Sequence, residues 1–312
     1  MAPNPISDGL ILVTGATGFI GRLLAERLVE DGYAVRCLVR NPEAPAAEEL
    51  ELIGCEIRVA DLTRPPGIAE ALEGVELAYF LIHMIGEGDD YPAIERAAAV
   101  RFARAAKAAG VERVIYLGGL GEAATSKHLS ARDDVAAALA AEGPPVTYFR
   151  AAMVIGPGSE SYELLRGIVG RLPVLPVPPW LQTETQPIGS ADVVSYLREA
   201  IDVPESSGRE VQIGGPDVLT HLEVVNQMAS ALGRRAPLQI LVSDELARPA
   251  TVAAGAGAVT PGNREIAAEI SLGLTTPTVV TDPGGAALFK TRPKRLDAVL
   301  AEAVDSAAAA VR

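Results

Sequence analysis

Apolar and polar positions along the first half of the chain switch repeatedly between two periods. Short, nearly continuous apolar runs occupy residues 10–14, 34–39, 56–60, 76–82, 113–117 and 146–150, the pattern of strands buried on both faces. Between them, residues 19–30, 68–72, 94–109 and 130–141 carry apolar positions at helical spacing, the last two very rich in Ala, the best helix former. Strands alternating with helices across short connections predict an α/β fold: a parallel sheet with helices on both faces.

The pattern changes after Val154. Gly156, Pro157 and Gly158 precede a helical stretch at 162–171, and the Pro-dense LPVLPVPPW follows at 172–180. Its prolines forbid central-strand pairing through most of that run. A helix over 191–200 and a strand over 210–213 are expected to return to the sheet, and a last helix starts near Leu296. The predicted organisation is a main unit over residues 1–155, with 186–215 returning to its sheet. Residues 156–185 and 216–312 form a small, discontinuous C-terminal lobe.

Composition narrows the function. At 312 residues with 49% hydrophobic and 21% charged positions, the chain can bury a sizeable core and is not of the disordered class. A net charge of −13 repels phosphate backbones and anionic bilayers, so neither nucleic acid nor a membrane surface is an expected partner. The longest apolar stretches fall far short of the ~20 residues of a membrane span. MAPNPISDG lacks the basic and apolar regions of a secretory signal, which leaves the cytoplasm as the expected compartment. Cys37 and Cys55 suit buried thiols, and His83, His128 and His221 form no metal-binding spacing, so no metal is expected. GxSxG and GxxxxGK[ST] are both absent.

Residues 10–21 read LILVTGATGFIG: a buried strand, a Gly-rich turn, then a helix. Gly15 permits the tight turn, Gly18 lets backbone N–H groups approach a pyrophosphate, and Gly21 lets the helix pack against the strand. In this context the triplet predicts dinucleotide binding on a Rossmann-type, doubly wound sheet. TGATGFIG resembles the short-chain dehydrogenase/reductase superfamily, particularly its extended and atypical branches. RCLVRNP at 36–42, VADL at 59–62, GVERVIYLGG at 110–119 and QPIGSADVVSYL from Gln186 extend the resemblance to atypical, NmrA-like NAD(P)-binding members. It covers roughly the first 215 residues well and the last hundred weakly. The resemblance implies that Gly15, Thr17, Gly18, Phe19 and Ile20 meet the phosphates and that Asp61 and Leu62 flank the adenine. It further implies that Leu81, Ile82 and His83, in the segment ending at Met84, pass beside the riboses, and that Ala151 and Met153 approach the nicotinamide.

A carboxylate at the end of the second strand reads a ribose 2′-OH, whereas an Arg there pairs with a 2′-phosphate. Arg40 holds that position, and Arg22 could fold back to the same phosphate, so NADP(H) is the expected cofactor. The alternative has Arg40 solvated and Glu43 replacing the carboxylate, which would favour NAD.

Reductases of the superfamily pair a Tyr with a Lys one helical turn on. None of the seven tyrosines here is followed by such a Lys, and Tyr162 with Arg166 lies in the wrong element. Where the pair belongs, KHLSARDD offers His128 and Arg132, at i and i+4 on one helical face. His128 could donate a proton to a developing alkoxide and Arg132 could take the Lys role toward the ribose, with the cation depressing the His pKa. Helix-start capping and a surface salt bridge are the structural alternatives for the two. The superfamily's usual Ser after the fifth strand is also missing, because residues 117–121 read LGGLG. Trp180 is the substrate-side candidate, or else lobe core. The acidic run at 87–90 and the cluster Lys290, Arg292, Lys294 and Arg295 suit solvated surface.

The sequence therefore predicts an NADP(H)-dependent oxidoreductase acting on a small, apolar carbonyl or other electron-poor double bond. Its rival is a non-catalytic, NADP-binding regulator or redox sensor, a role found among NmrA-like proteins. The partner is a small-molecule substrate, and both monomer and homodimer remain open.

Overall fold

A computed structural model of the protein describes residues 9–84, 88, 90–121, 127–243, 245 and 273–309. The first half runs β1 (Leu10–Thr14), α1 (Phe19–Glu30), β2 (Ala34–Val39), α2 (Pro45–Leu52), β3 (Glu56–Val59), α3 (Ile68–Ala71), β4 (Val75–Phe80), α4 (Tyr91–Ala109), β5 (Arg113–Gly119), α5 (Lys127–Glu142) and β6 (Val146–Ala151). The second half continues through β7 (Val154–Ile155), α6 (Glu160–Arg171), β8 (Val174–Val177), β9 (Glu184–Thr185), β10 (Ile188–Gly189), α7 (Ser190–Glu199), β11 (Glu210–Ile213), β12 (Leu219–Thr220), α8 (His221–Ala231), β13 (Leu238–Leu241) and α9 (Leu296–Ala309).

Seven strands form one parallel sheet in the order β11-β6-β5-β4-β1-β2-β3. Successive residues of β1 face opposite sides, and both sides are apolar: Ile11 and Val13 join the cluster under α1 and α7, while Leu12 joins the one under α3, α4 and α5. That two-sided burial is why the strands read as continuous apolar runs. Each fully buried Leu or Ile adds about 1.5–3 kcal/mol. The Ala-rich α4 turns Ala98, Ala99, Ala103 and Ala106 inward, all fully buried, so its small face packs within this chain. The chain order reverses between β1 and β4, which opens a crevice at the carboxyl ends of the strands.

Several boundaries differ from expectation. β4 ends at Phe80, freeing residues 81–84 as a strand-end loop, and α5 begins at Lys127, placing His128 in its first turn. The helix α2 was not expected: at two turns it is too short for a periodicity reading, and Pro45 starts it while Ala47 and Leu50 anchor it. The Pro-dense run does hold a strand, β8, but only as half of a two-stranded ribbon with β13. A third apolar cluster unites α6, α8 and α9 with Trp180, which is lobe core at 9% exposure. Phe289 joins the sheet core instead, 5.4 Å from Phe149.

Candidate functional site

The turn after β1 is set by contacts with the end of β4. The buried Thr14 hydroxyl donates to the Tyr79 carbonyl at 3.0 Å and accepts from the Leu81 N–H at 3.3 Å. Gly15 then adopts φ +67°, and a Cβ there would lie 2.4 Å from the Leu81 carbonyl oxygen. A Cβ on Gly21 would lie 2.2 Å from the Gly15 oxygen, so α1 seats directly on the turn. Gly18 caps α1 with no side-chain hydrogen bond. The first N–H groups of the helix have no intrahelical acceptor, and with the helix dipole they suit an anion.

This turn lines a cleft of about 380 Å³ that runs along the carboxyl ends of β1, β2, β3 and β4. Gly15, Thr17 and Gly18 line it, as do Arg40, Asp61 and Leu62, and then Leu81, Ile82 and His83. Four further residues singled out from the sequence lie elsewhere: Phe19 and Ile20 are in the first turn of α1, Ala151 ends β6, and Met153 faces a separate cavity in the lobe. Arg40 and Arg64 both act on Asp61. Burial works to raise the Asp61 carboxyl, but the Thr63 hydroxyl and N–H, bonded at 2.7 and 2.8 Å, and then the two cations hold it below the ordinary value. Arg22 reaches Glu49 at 3.5 Å and does not line the cleft, and Glu43 lies outside it as well.

His83 lines the cleft, and its ring approaches that of His128 to 5.1 Å. Burial, and after it the Arg132 cation, lowers the His128 pKa to about 3, so its imidazole is neutral at physiological pH. His83 is exposed on the cleft, and loss of hydration, then Arg132 and His128, lower its pKa too. Arg132 donates to the Leu117 carbonyl at 3.1 Å, and the Tyr116 hydroxyl donates to the Arg132 carbonyl at 3.2 Å. Burial works against the guanidinium charge, and Tyr116 with the fully buried Glu95 of α4 offsets it.

A glycine is favoured at position 118 for a steric reason. A Cβ on Gly118 would lie 2.7 Å from the Tyr148 ring and hydroxyl, and that hydroxyl donates to Asp133 at 2.8 Å. Tyr148 stacks on Tyr116 at 5.1 Å, and Arg150 donates to the carbonyls of Gly119 and Gly121. The β5 loop is thus held by β6 side chains, and neither tyrosine lines the cleft. Sequence reasoning missed Thr14, Glu95 and Arg150, whose roles depend on contacts across strands.

Other candidates are structural. Lys294 pairs with Glu302 at 2.6 Å, Arg295 with Asp217 at 2.8 Å, and Arg292 donates to the carbonyls of Phe289 and Thr291. Cys37 and Cys55 are free and buried. Glu87 and Asp89 lie outside the described residues. Among the described residues no group of three metal-ligating side chains occurs, and no helix is long and apolar enough to cross a membrane.

The buried histidines give a stability prediction. Burial lowers His221 to about 4, and His128 stands near 3, against 6.5 when unfolded. The unfolded chain therefore binds more protons between these values, and stability falls as pH drops through 6.5 toward 4. From pH 7 to pH 5 each histidine should cost about 1–2 kcal/mol. Urea unfolding at the two pH values checks this: His221→Phe should remove its share of the difference, and an unchanged difference would contradict it.

Comparison with known proteins agrees with this architecture. The NmrA-like family model matches residues 7–252. A (4-alkanoyl-5-oxo-2,5-dihydrofuran-3-yl)methyl phosphate reductase of Streptomyces griseus is 30% identical over 72% of this chain and 74% of its own length. A ceramide reductase of Caulobacter vibrioides is 32% identical over 54% of each chain, so the match spans about half of that relative. The crystal structure of Citrobacter sp. triphenylmethane reductase complexed with NADP(H) superposes with a TM-score of 0.73 at 20% identity, covering 94% of this chain and 99% of that one. An NADPH-dependent quinone oxidoreductase of Escherichia coli, complexed with NADPH, gives 0.74 at 20% identity with the same coverage. These two likenesses carry the fold, and the family match carries the kinship: the chain belongs to the NmrA-like family.

Proposed function

We propose that the chain is an NADPH-dependent reductase of a small, apolar carbonyl compound or other electron-poor double bond. The observation that carries this reading is the cleft lined together by the Gly-rich turn, Arg40 and His83, with the His128 ring 5.1 Å from that of His83. The cofactor passes a direct fit test: a Cβ on Gly18 would come within 3.1 Å of the Gly15 oxygen and meet nothing else, so the missing side chain leaves a cradle at the uncapped start of α1. Backbone groups of Gly15, Thr17, Gly18, Phe19 and Ile20 would hold the pyrophosphate, and Arg40 the 2′-phosphate. Asp61 and Leu62 would flank the adenine, Leu81, Ile82 and His83 the riboses, and Ala151 at the end of β6 the nicotinamide, whereas Met153 faces the separate lobe cavity. The relatives named above are reductases, and both superposed structures carry NADP(H), which supports the reading.

When bound, NADPH supplies the hydride, and the chain has to supply orientation and a proton. His128 is neutral, so one ring nitrogen donates and the other accepts. Its buried Nδ1 has no hydrogen-bond partner among the described residues. In this reading His128 gives its N–H proton to the substrate oxygen and regains one through His83, which opens on the cleft. Arg132 keeps both rings uncharged and ties α5 to β5.

The second reading, an NADP sensor without turnover, draws on the absence of a hydroxyl in residues 117–121, where the superfamily usually has its Ser. Both readings share the cofactor, and Arg40→Ala tests it. Loss of a charge-assisted bidentate contact should weaken NADPH by roughly ten- to a hundredfold and leave NADH nearly unchanged. Fluorescence titration with both nucleotides checks this; equal losses would refute the role of Arg40.

A further inference from the structure

Outside the cleft, the C-terminal lobe contains a small cavity of about 30 Å³. Met153, Leu164, Leu165 and Leu181 line it, and Ser161 and His221 are its polar residues. His221 opens α8, where its N–H donates to the Thr183 carbonyl at 3.2 Å and the Thr220–Glu223 capping box fixes the helix start. The residue is 5% exposed, and neither ring nitrogen has a hydrogen-bond partner among the described residues. A buried donor and acceptor left unmatched is costly, and native structures seldom retain one without a use. The apolar walls keep the ring neutral, so it presents one donor and one acceptor and repels a charged group.

The position matters as much as the chemistry. Met153 lies two residues beyond Ala151, the last residue of β6, and its carbonyl accepts from the Ile188 N–H at 3.0 Å. The cavity thus sits at the carboxyl edge of the sheet, the edge on which the cleft opens. Its volume admits about two water-sized groups, the slim end of a ligand.

We infer that this cavity is a recognition slot for one end of an otherwise apolar substrate, and that His221 selects molecules presenting one neutral hydroxyl or carbonyl there. The inference rests on the reductase reading for the word substrate, but not for binding. A site built to hydrogen-bond a hydroxyl discriminates against the analogue lacking it, because its own polar group is then left unmatched. His221 is thereby a specificity residue and takes no part in proton transfer.

The matched probes are 4-ethylphenol and 4-ethyltoluene, measured on the full chain with and without NADPH. With three histidines in the sequence, ¹⁵N-labelled imidazoles resolve which ring is touched. The phenol should bind about three- to tenfold more tightly than the toluene and shift the His221 nitrogens. His221→Phe should equalise the two probes, and His221→Gln, which keeps a donor and an acceptor, should restore part of the preference. The inference is overturned if neither probe binds, if both bind equally, if the preference survives His221→Phe, or if only His83 or His128 shifts. A parallel NADPH titration separates the two claims. Failure of NADPH to bind while the preference holds sinks the reductase reading alone, whereas NADPH binding with no preference sinks the slot alone.

Discussion

His128→Phe should lower NADPH-dependent turnover by about 10²–10⁴-fold, the usual worth of a positioned proton donor, and leave NADPH affinity within about twofold. Phe keeps a ring against His83 and removes both nitrogens. The substitution changes neither the Gly-rich turn nor Arg40, which line the cleft without His128. With a pKa near 3, His128 adds no ionisation of its own between pH 5 and 8, so the wild-type rate should show no step assignable to it. Steady-state rates and NADPH titrations on both proteins check the split. Full activity in the variant would move the donor role to water or a substrate hydroxyl.

Gly15→Ala should weaken NADPH by roughly 30- to 1000-fold, on the order of 2–4 kcal/mol, and lower stability as well. Two effects add: a left-handed φ of +67°, which costs a Cβ-bearing residue about 1–2 kcal/mol, and a Cβ 2.4 Å from the Leu81 carbonyl oxygen. The only relief is to move the turn away from the β4 end, which displaces the N–H groups facing the phosphate. Gly32→Ala is the control, because Gly32 has φ +87° but nothing within 4 Å of a Cβ. It should show a stability loss from the dihedral alone, with unchanged NADPH binding. Parallel titrations and urea melts compare them; equal NADPH affinity in both variants would contradict the account of the turn.

Both positions differ in how legible they were. The strands, the two-sided sheet and the glycine spacing could be read directly, because burial on both faces writes itself as apolar runs and a turn against backbone admits only Gly. Arg40 could be located because it follows the apolar run of β2 and that run has a defined end. Contacts made across strands leave no local trace. Nothing near His83 says that its ring meets His128, and nothing near Gly118 says that Tyr148 fills the space a side chain there would need. Arg132 illustrates the same point: helical spacing put it on the face of His128, but its hydrogen bond to the Leu117 carbonyl depends on where β5 ends. Trp180 stands in the sequence as a lone aromatic among prolines, and the packing of α6, α8 and α9 around it makes it core.

The measurement that bears most directly on the central claim is NADPH oxidation by the wild-type chain, followed by the loss of reduced-nicotinamide absorbance across a panel of quinones, aldehydes, ketones and imines. The reductase account predicts turnover of at least one apolar member, faster with NADPH than with NADH. Tight NADPH binding with no turnover of any member would contradict it and leave the sensor reading in its place.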